Sequence, residues 1–475
     1  MAEPLFAGID LGTARVKVGI FDRFGTLIAL RITPHAGLMT PQRGSVTQDA
    51  AGWWRAVCAA LRSVSAAVDS SRIVAVAVCG QGPTLVAADA RLHPRGPALT
   101  WMDKRAQEEA DELSDRLGRP VDTHYVAKAL HLSRVDPDPR RRWYFQSWDY
   151  LASRLCETPH ASSTWFEDEI AGSGLPRDHF PPYVEAGTAV GAVTASVARR
   201  TGLREGTMVV AGTNDAIAAC IGAGLTQVGK SAILGGTSGG FVYCGAPTPG
   251  AWAPPPGTYP EPPGCRYLGA TISSSGLALD WLAGLFGVRS YDSWLEQAAG
   301  IAVGADGLLL LPYLAGLFLP YTADERGPVR DDAARGVLFG LRAAHTTPHL
   351  VRAVLEGVSF AIRQVYEVTV APGAAVAAVT VGGQAHSLLW NRIKADVLGL
   401  SVEVPVVVEA GTLGAAAMAA AGSGHFADMW AASAAMVHIA RRLNPDPTAR
   451  DHYERLYREV YLPLYPQVKE LFKAL

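Results

Sequence analysis

The chain has 475 residues, 49% hydrophobic and 18% charged, which excludes a disordered polymer and exceeds what one core usually supports, so two domains are expected. A formal net charge of -2 excludes a global field that would hold nucleic acid or an acidic membrane, so any anionic ligand needs a local site. Cys58, Cys79, Cys156, Cys220, Cys244 and Cys265 are scattered without a CxxC pair, and the opening MAEPLFAGIDLG lacks signal-peptide order, so a reduced, cytoplasmic protein without membrane spans is expected.

The first stretch, LFAGIDLGTARVKVGIFDRFGTLIAL, alternates small and β-branched residues around DLGT and predicts strand, Gly-containing turn, strand. A Gly-Thr turn can aim successive backbone N–H groups and a hydroxyl at one anion. Asp10 is spaced to hold a hydrated Mg²⁺ beside Thr13, and Lys17 on the next strand to meet phosphate oxygens; Asp10 is equally a strand-end carboxylate capping a turn. QDAAGWWRAVCAALRSVSAAV then has helical spacing, and IVAVAVCGQGPTLV is a buried-type strand ending at Gly80-Gln81. In ALTWMDKRAQEE, Trp101 and Asp103 are either ligand-facing groups or a core indole and an ion pair with Arg105. Glu167, Asp168 and Glu169 form an acidic run with the character of a solvated face.

AGTNDAIAACIGAG puts one carboxylate, Asp215, among small neighbours at an expected helix start, which leaves room beside it and favours its ionised form. The bland alternative is that Asp215 is only an N-cap. Further on, KSAILGGTSGGFVYCGAP repeats the plan of the first strands, and VAAVTVGGQAHSLLW repeats the strand that ends in Gly-Gln. Two echoes in one order indicate an internal duplication and an α/β fold with mixed sheets. The helix in GTLGAAAMAAAGSG is nearly all small residues, suited to close packing or to a flat ligand. Near the C-terminus, Tyr453, Leu456, Tyr457 and Val460 share a helical face that Pro463 is expected to interrupt.

In order along the chain, GIDLGTARVKVGIFD, AGTNDAIAACIGAG, GGTSGG, DDAARGVLFGL, RAVLEGVSFAIRQV, VGGQAHSLLWNRIKADVLGLSVEVP and EAGTLGAAAMAAAG resemble the landmarks of the FGGY carbohydrate kinases. That resemblance implies an actin-like ATPase fold of two ribonuclease-H-like domains with a central cleft. The N-terminal domain would be 1–225, with most of the sugar site, and the C-terminal domain 226–475, with most of the nucleotide site. It further implies Mg²⁺ and ATP, with Asp215 as the base that removes a proton from the attacking sugar hydroxyl. Asp10 and Asp215 would face Mg²⁺ through water. Thr13, Lys17, Gly236, Thr237, Ser238 and Gly276 would surround the phosphates. Gly382, Gly383, Gln384 and Asn391 match the adenosine region, and Gln81, Gly82, Trp101, Asp103 and Asn214 would join Asp215 around the sugar.

Two departures bear on specificity. Xylulokinase-like members carry Met-His after the first Gly-Gln, where this chain has Gly82-Pro83; the Arg-Glu pair of glycerol kinases is absent there too. A segment around residues 317–324 is added before Glu325-Arg326. A ketopentose such as xylulose or ribulose is the expected acceptor, with a sugar acid or polyol as the alternative. An actin-like ATPase without sugar kinase activity is the reading from another class. A small-molecule substrate, no nucleic acid, no membrane and a homodimer complete the expectation.

Overall fold

The computed structural model describes residues 3–475 apart from 43, 123, 163–165, 247–258, 289, 320–328, 372 and 376. These residues form two compact units. The first holds everything up to Gly224 together with 259–261 and Ala410–Val437, and the second holds the remainder.

In the first unit, small and β-branched runs form β1 (Leu5–Leu11), β2 (Arg15–Phe21), β3 (Leu27–Pro34), β4 (Thr47–Gln48), β5 (Ile73–Gly80), β6 (Leu85–Ala88), β7 (Ala98–Leu99), β8 (Trp143–Gln146), β9 (Ala189–Ala192) and β10 (Met208–Asn214). Six of them make a sheet of order β3-β2-β1-β5-β10-β9, in which β1, β5 and β10 are parallel; β4, β7, β6 and β8 make a smaller sheet. Side chains at the carboxyl ends of parallel strands are where open α/β sheets bind ligands. Register puts Asp10 beside Cys79, and Thr213 beside Cys79 from the other side.

The second unit contains β11 (Ser231–Gly235), β12 (Gly239–Gly245), β13 (Arg266–Ile272), β14 (Leu309–Leu311), β15 (Leu317–Leu319), β16 (Val329–Asp331), β17 (Val337–Phe339), β18 (Ala377–Val381), β19 (Ser401–Pro405) and β20 (Ile439–Leu443). Its large sheet has the order β13-β12-β11-β18-β19-β20, with β11, β18 and β19 parallel and the flanking pairs antiparallel. Position for position this is the first sheet again, so the echoes in the sequence are echoes of topology. Two mixed α/β units of this kind are the ribonuclease-H-like pair expected.

Three details depart from the sequence reading, and one decides between two readings. Residues 410–437 belong to the first unit, although 226–475 reads as one domain. The helix Ala410–Gly422 crosses β1 and the helix Asp215–Gly222 at backbone contact. A Cβ on Gly8, Gly222 or Gly414 would lie 1.8, 1.9 or 1.9 Å from a carbonyl oxygen across that contact. The run of small residues therefore serves packing, not a flat ligand. Glu169 is buried in the first turns of the helix Glu167–Ser173, where burial raises its carboxyl to about 7. The C-terminal helix does not stop before Pro463: a π-helical turn, Tyr457–Tyr461, links Pro447–Leu456 to Leu462–Phe472, and the proline sits in the first turn of the latter. That extra residue keeps Tyr453, Tyr457 and Tyr461 all against Phe360. Of the segment around 317–324, Leu317–Leu319 form β15, paired antiparallel with β16; residues 320–328 lie outside the described residues. Among the described residues no helix is long and apolar enough to cross a membrane.

Candidate active site

In the first unit the site is built on three strand ends. Asp10 is the penultimate residue of β1, and the antiparallel register sets Lys17 of β2 directly opposite, on the same face of the sheet. The helix Ala410–Gly422 begins against that carboxylate: a Cβ on Gly411 would lie 2.8 Å from Asp10 Oδ2. A helix start favours a negative charge, so Asp10 has both a lysine neighbour and a dipole.

Asp215 opens the helix that follows β10. The N-cap is Asn214, whose Oδ1 accepts from the Ala216 N–H at 2.9 Å, while Asp215 Oδ1 accepts from the same N–H at 2.8 Å. Burial, then the negative charge of Asp10, push the Asp215 carboxyl up to about 7 against these hydrogen bonds. The helix start alone does not keep Asp215 fully ionised, as its position in the sequence implies; desolvation beside a like charge outweighs the dipole. Between them lies Cys79, buried, its Sγ donating to the Gly411 carbonyl at 3.4 Å and its thiol held well above the usual range by burial and both carboxylates.

The first Gly-Thr turn has its carbonyls occupied. His35 Nε2 bonds the Gly12 carbonyl at 2.9 Å, and Gln48 Nε2 donates to the Thr13 carbonyl at 2.6 Å. The Thr13 N–H has no acceptor among the described residues. The Gly80–Thr84 loop is tied down at every residue beyond its strand. Gln81 N–H donates to the Leu11 carbonyl (2.8 Å), Ser147 Oγ to the Gln81 carbonyl (2.6 Å), and Asn214 Nδ2 to the Gly82 carbonyl (3.4 Å). Gln146 Oε1 receives the Thr84 N–H (3.1 Å). Lys128, wholly buried, donates to the carbonyls of Thr100 (2.6 Å) and Pro83 (3.4 Å), and burial lowers its ammonium to about 7. Gly82 packs against Trp148: a Cβ there would lie 2.5 Å from Trp148 Cζ3, so a side chain would push the indole aside.

Trp101 is half-buried, its N–H donating to Thr84 Oγ1 at 3.1 Å. Asp103 is fully buried and already engaged, accepting from the Val46 N–H (3.0 Å) and from Arg105 Nη2 (2.8 Å). Of the two readings of Asp103, the ion pair is the one present: its carboxylate braces the loop, because a buried charge needs such partners.

In the second unit the Gly236–Ser238 turn faces solvent. Its carbonyls are taken by the next helix start, with Gly276 N–H on Gly236 (3.0 Å) and Ser275 and Leu277 N–H on Thr237 (3.2 and 3.0 Å). The N–H groups of Thr237 and Ser238 have no acceptor among the described residues, which suits an anion. Gln384 Nε2 donates to Ser275 Oγ at 2.7 Å. Gly382, at φ +80°, passes so close that a Cβ would lie 2.5 Å from the Gly235 carbonyl oxygen, whereas a Cβ on Gly383 would meet open space. Asn391 is buried, its Nδ2 on the Ala385 carbonyl at 2.7 Å, so it shapes the loop from beneath.

The chain matches the FGGY family of carbohydrate kinases, N-terminal domain, over residues 5–134 and its C-terminal domain over residues 231–423. The chain belongs to this family. It is 28% identical to the xylulose kinase of Staphylococcus epidermidis over 99% of this chain and 98% of that one. It is 28% identical to the L-xylulose/3-keto-L-gulonate kinase of Escherichia coli over 95% of each. The crystal structure of xylulose kinase from Rhodospirillum rubrum superposes with a TM-score of 0.77 at 27% identity, covering 99% of this chain and 100% of that one. This FGGY kinase is thus a sugar phosphotransferase that uses ATP.

Gln48, Lys128, Ser147 and Ser275 are missed by sequence reasoning. Each acts through a bond to a main-chain or side-chain group far along the chain, and no local spacing signals that.

Proposed function

We propose that this FGGY kinase transfers the γ-phosphoryl group of ATP to a hydroxyl of a ketopentose, xylulose in the first instance, with Asp215 as the base. The observation that carries the base assignment is the Asp215 carboxyl, raised to about 7 at a helix start beside Asp10. A general base works best with a pKa near the operating pH. Asp215 takes the proton of the acceptor hydroxyl as its oxygen bonds to the γ-phosphorus, and the bond from that phosphorus to the ADP oxygen breaks. Lys17 and the Thr13 amide neutralise charge on the transferred group, in a reaction governed by alignment and electrostatics. The xylulose assignment is supported by relatives named as xylulose kinases along nearly the whole chain.

Residues 1–225 would supply the acceptor site, through Gln81, Gly82, Trp101, Asn214 and Asp215, with Asp103 as a brace. Within 226–475, Gly236, Thr237, Ser238 and Gly276 would hold phosphates, and Gly382, Gly383, Gln384 and Asn391 the adenosine side. Asp10 and Asp215 fit Mg²⁺, a hard cation usually bound by one or two carboxylates with water and phosphate oxygens; a third acidic ligand is not required. When bound, Mg²⁺ supplies charge neutralisation at the phosphates. A cytoplasmic homodimer belongs to the same reading and is checked by light scattering.

The test is a panel of ketoses, aldonates and polyols with ATP, with the product position read by phosphorus NMR. A ketopentose should head the panel. If ketopentoses never raise ADP release above the sugar-free rate, the proposal fails.

A further inference from the structure

We infer that Gln48 is a positioning residue that fixes which way round the Gln81 amide faces, so that the acceptor loop presents a hydrogen-bond acceptor to a sugar hydroxyl and stays coupled to the first Gly-Thr turn. This deepens the sugar-kinase reading and rests on it.

Gln48 lies on the two-residue strand β4, in register with Ala98 of β7, and is wholly buried. Its side chain spans two segments that sequence alone does not connect. Nε2 donates to the Thr13 carbonyl at 2.6 Å, and Oε1 accepts from Gln81 Nε2 at 2.7 Å. The sense of this relay is dictated by its first member. A main-chain carbonyl can only accept, so Gln48 must turn its NH₂ towards Thr13. Its oxygen then faces Gln81, which must answer with its own NH₂. Flipping Gln48 would set its oxygen against the Thr13 carbonyl, and flipping Gln81 would set its oxygen against Gln48 Oε1, so neither amide turns without opposing two acceptors.

The consequence falls on Gln81 Oε1. The backbone of Gln81 is fixed from both sides, by Leu11 and Ser147, so the remaining freedom is the amide orientation, and Gln48 removes it. Oε1 is left buried with no partner among the described residues. A buried acceptor without a donor is costly and rare, and one lodged in a substrate loop calls for a donor from the ligand. A sugar hydroxyl supplies one once binding uncovers the oxygen. The carboxylate of an aldonate supplies only further lone pairs and is repelled. The relay therefore selects a polyhydroxy acceptor with an O–H at this point, and the same chain of bonds ties sugar position to the geometry of the Thr13 turn.

Two variants test it, with full-length enzyme, ATP and the best sugar of the panel. In Gln48→Glu a protonated carboxyl can donate to Thr13 and accept from Gln81, restoring the relay, whereas the ionised form cannot donate. Its activity relative to wild type should rise roughly tenfold as pH falls from about 8 to about 6, because burial lifts the carboxyl pKa into that range. Gln48→Met should lose roughly 10–100-fold in sugar kcat/KM at every pH, with nucleotide KM unchanged, the scale expected of a misplaced substrate group. Melting curves at each pH separate this from unfolding: activity that merely tracks the folded fraction overturns the proposal. So does a Gln48→Met enzyme with sugar kcat and KM within about twofold of wild type, or a Gln48→Glu profile parallel to wild type. A wild-type enzyme without sugar-dependent turnover removes the kinase reading itself, and this inference with it.

Discussion

The two large sheets share one strand order and one set of directions, yet their Gly-Thr turns end in different chemistry. Asp10 stands two residues before Gly12-Thr13 in the first, and Leu234 stands two residues before Gly236-Thr237 in the second. After β5, Gln81 hands its amide hydrogen to Gln48; after β18, Gln384 hands its own to Ser275. On the proposed function, one framework would place carboxylates where a proton moves and uncharged amides where a polyanion rests. A carboxylate at Leu234 would repel phosphate at short range, and amide donors at Asp10 would leave no anion for a cation to bridge.

The largest expected effect lies in the first half. Asp215→Asn keeps the shape and the Ala216 contact but cannot take a proton, so kcat should fall by roughly 10²–10⁴-fold. Nucleotide affinity, measured by calorimetric titration, should stay within about twofold if the two turns divide the work in this way. Near-normal turnover would remove Asp215 from the base role.

A change in the second half should have the opposite profile. Gly382→Ala forces a side chain into φ +80° and against the Gly235 carbonyl, displacing the strand end that leads into Gly236-Thr237. Nucleotide KM should rise roughly tenfold with sugar KM unchanged. A rise in sugar KM instead would break the division of labour.

A smaller effect sharpens the sugar side. Gly82→Met restores the longer residue of xylulokinase-like members, but its Cβ meets the Trp148 indole. Sugar KM should rise several-fold, and the double variant with Trp148→Leu should recover part of that loss, a non-additivity expected of residues in contact. Strictly additive losses would mean that Trp148 does not set the size of the loop.

How far the molecule is legible in its sequence follows from the range of each contact. The Gly-Thr turns, the Gly-Gln strand ends and the lone carboxylate of AGTNDAIAAC are local patterns, and each marks a real turn, strand end or helix start. Asp103 is ambiguous in sequence because Trp-x-Asp-x-Arg is compatible with either a ligand or an ion pair, and only its burial against Val46 and Arg105 decides. The return of 410–437 to the first unit is hidden because a small-residue helix says that something lies close, not what. Pro463 misleads because the π-helical turn that absorbs it has no sequence signature as plain as the proline.

The mildest contrast is between two buried charges. In the first unit Asp149 is buried, with one oxygen on Ser162 and the other without a partner among the described residues; burial raises its carboxyl to about 7. A carboxyl raised on folding contributes stability that is complete below its unfolded pKa of about 4 and is lost as pH rises through about 7. In the second unit Lys394 is wholly buried over Trp390, with one long bond to Thr380 Oγ1 (3.4 Å), and burial lowers its ammonium to about 7. A lowered amine works the other way: its contribution is present above about pH 10.5 and lost as pH falls through about 7. A tenfold change in proton affinity on folding corresponds to about 1.4 kcal/mol, which sets the scale of either effect. In scanning calorimetry, Asp149→Asn should therefore gain on wild type as pH rises from about 5 to about 8, and Lys394→Met as pH falls from about 9 to about 6. Melting curves of either variant that run parallel to wild type across its range would show that relaxation or water around the group already repays the burial.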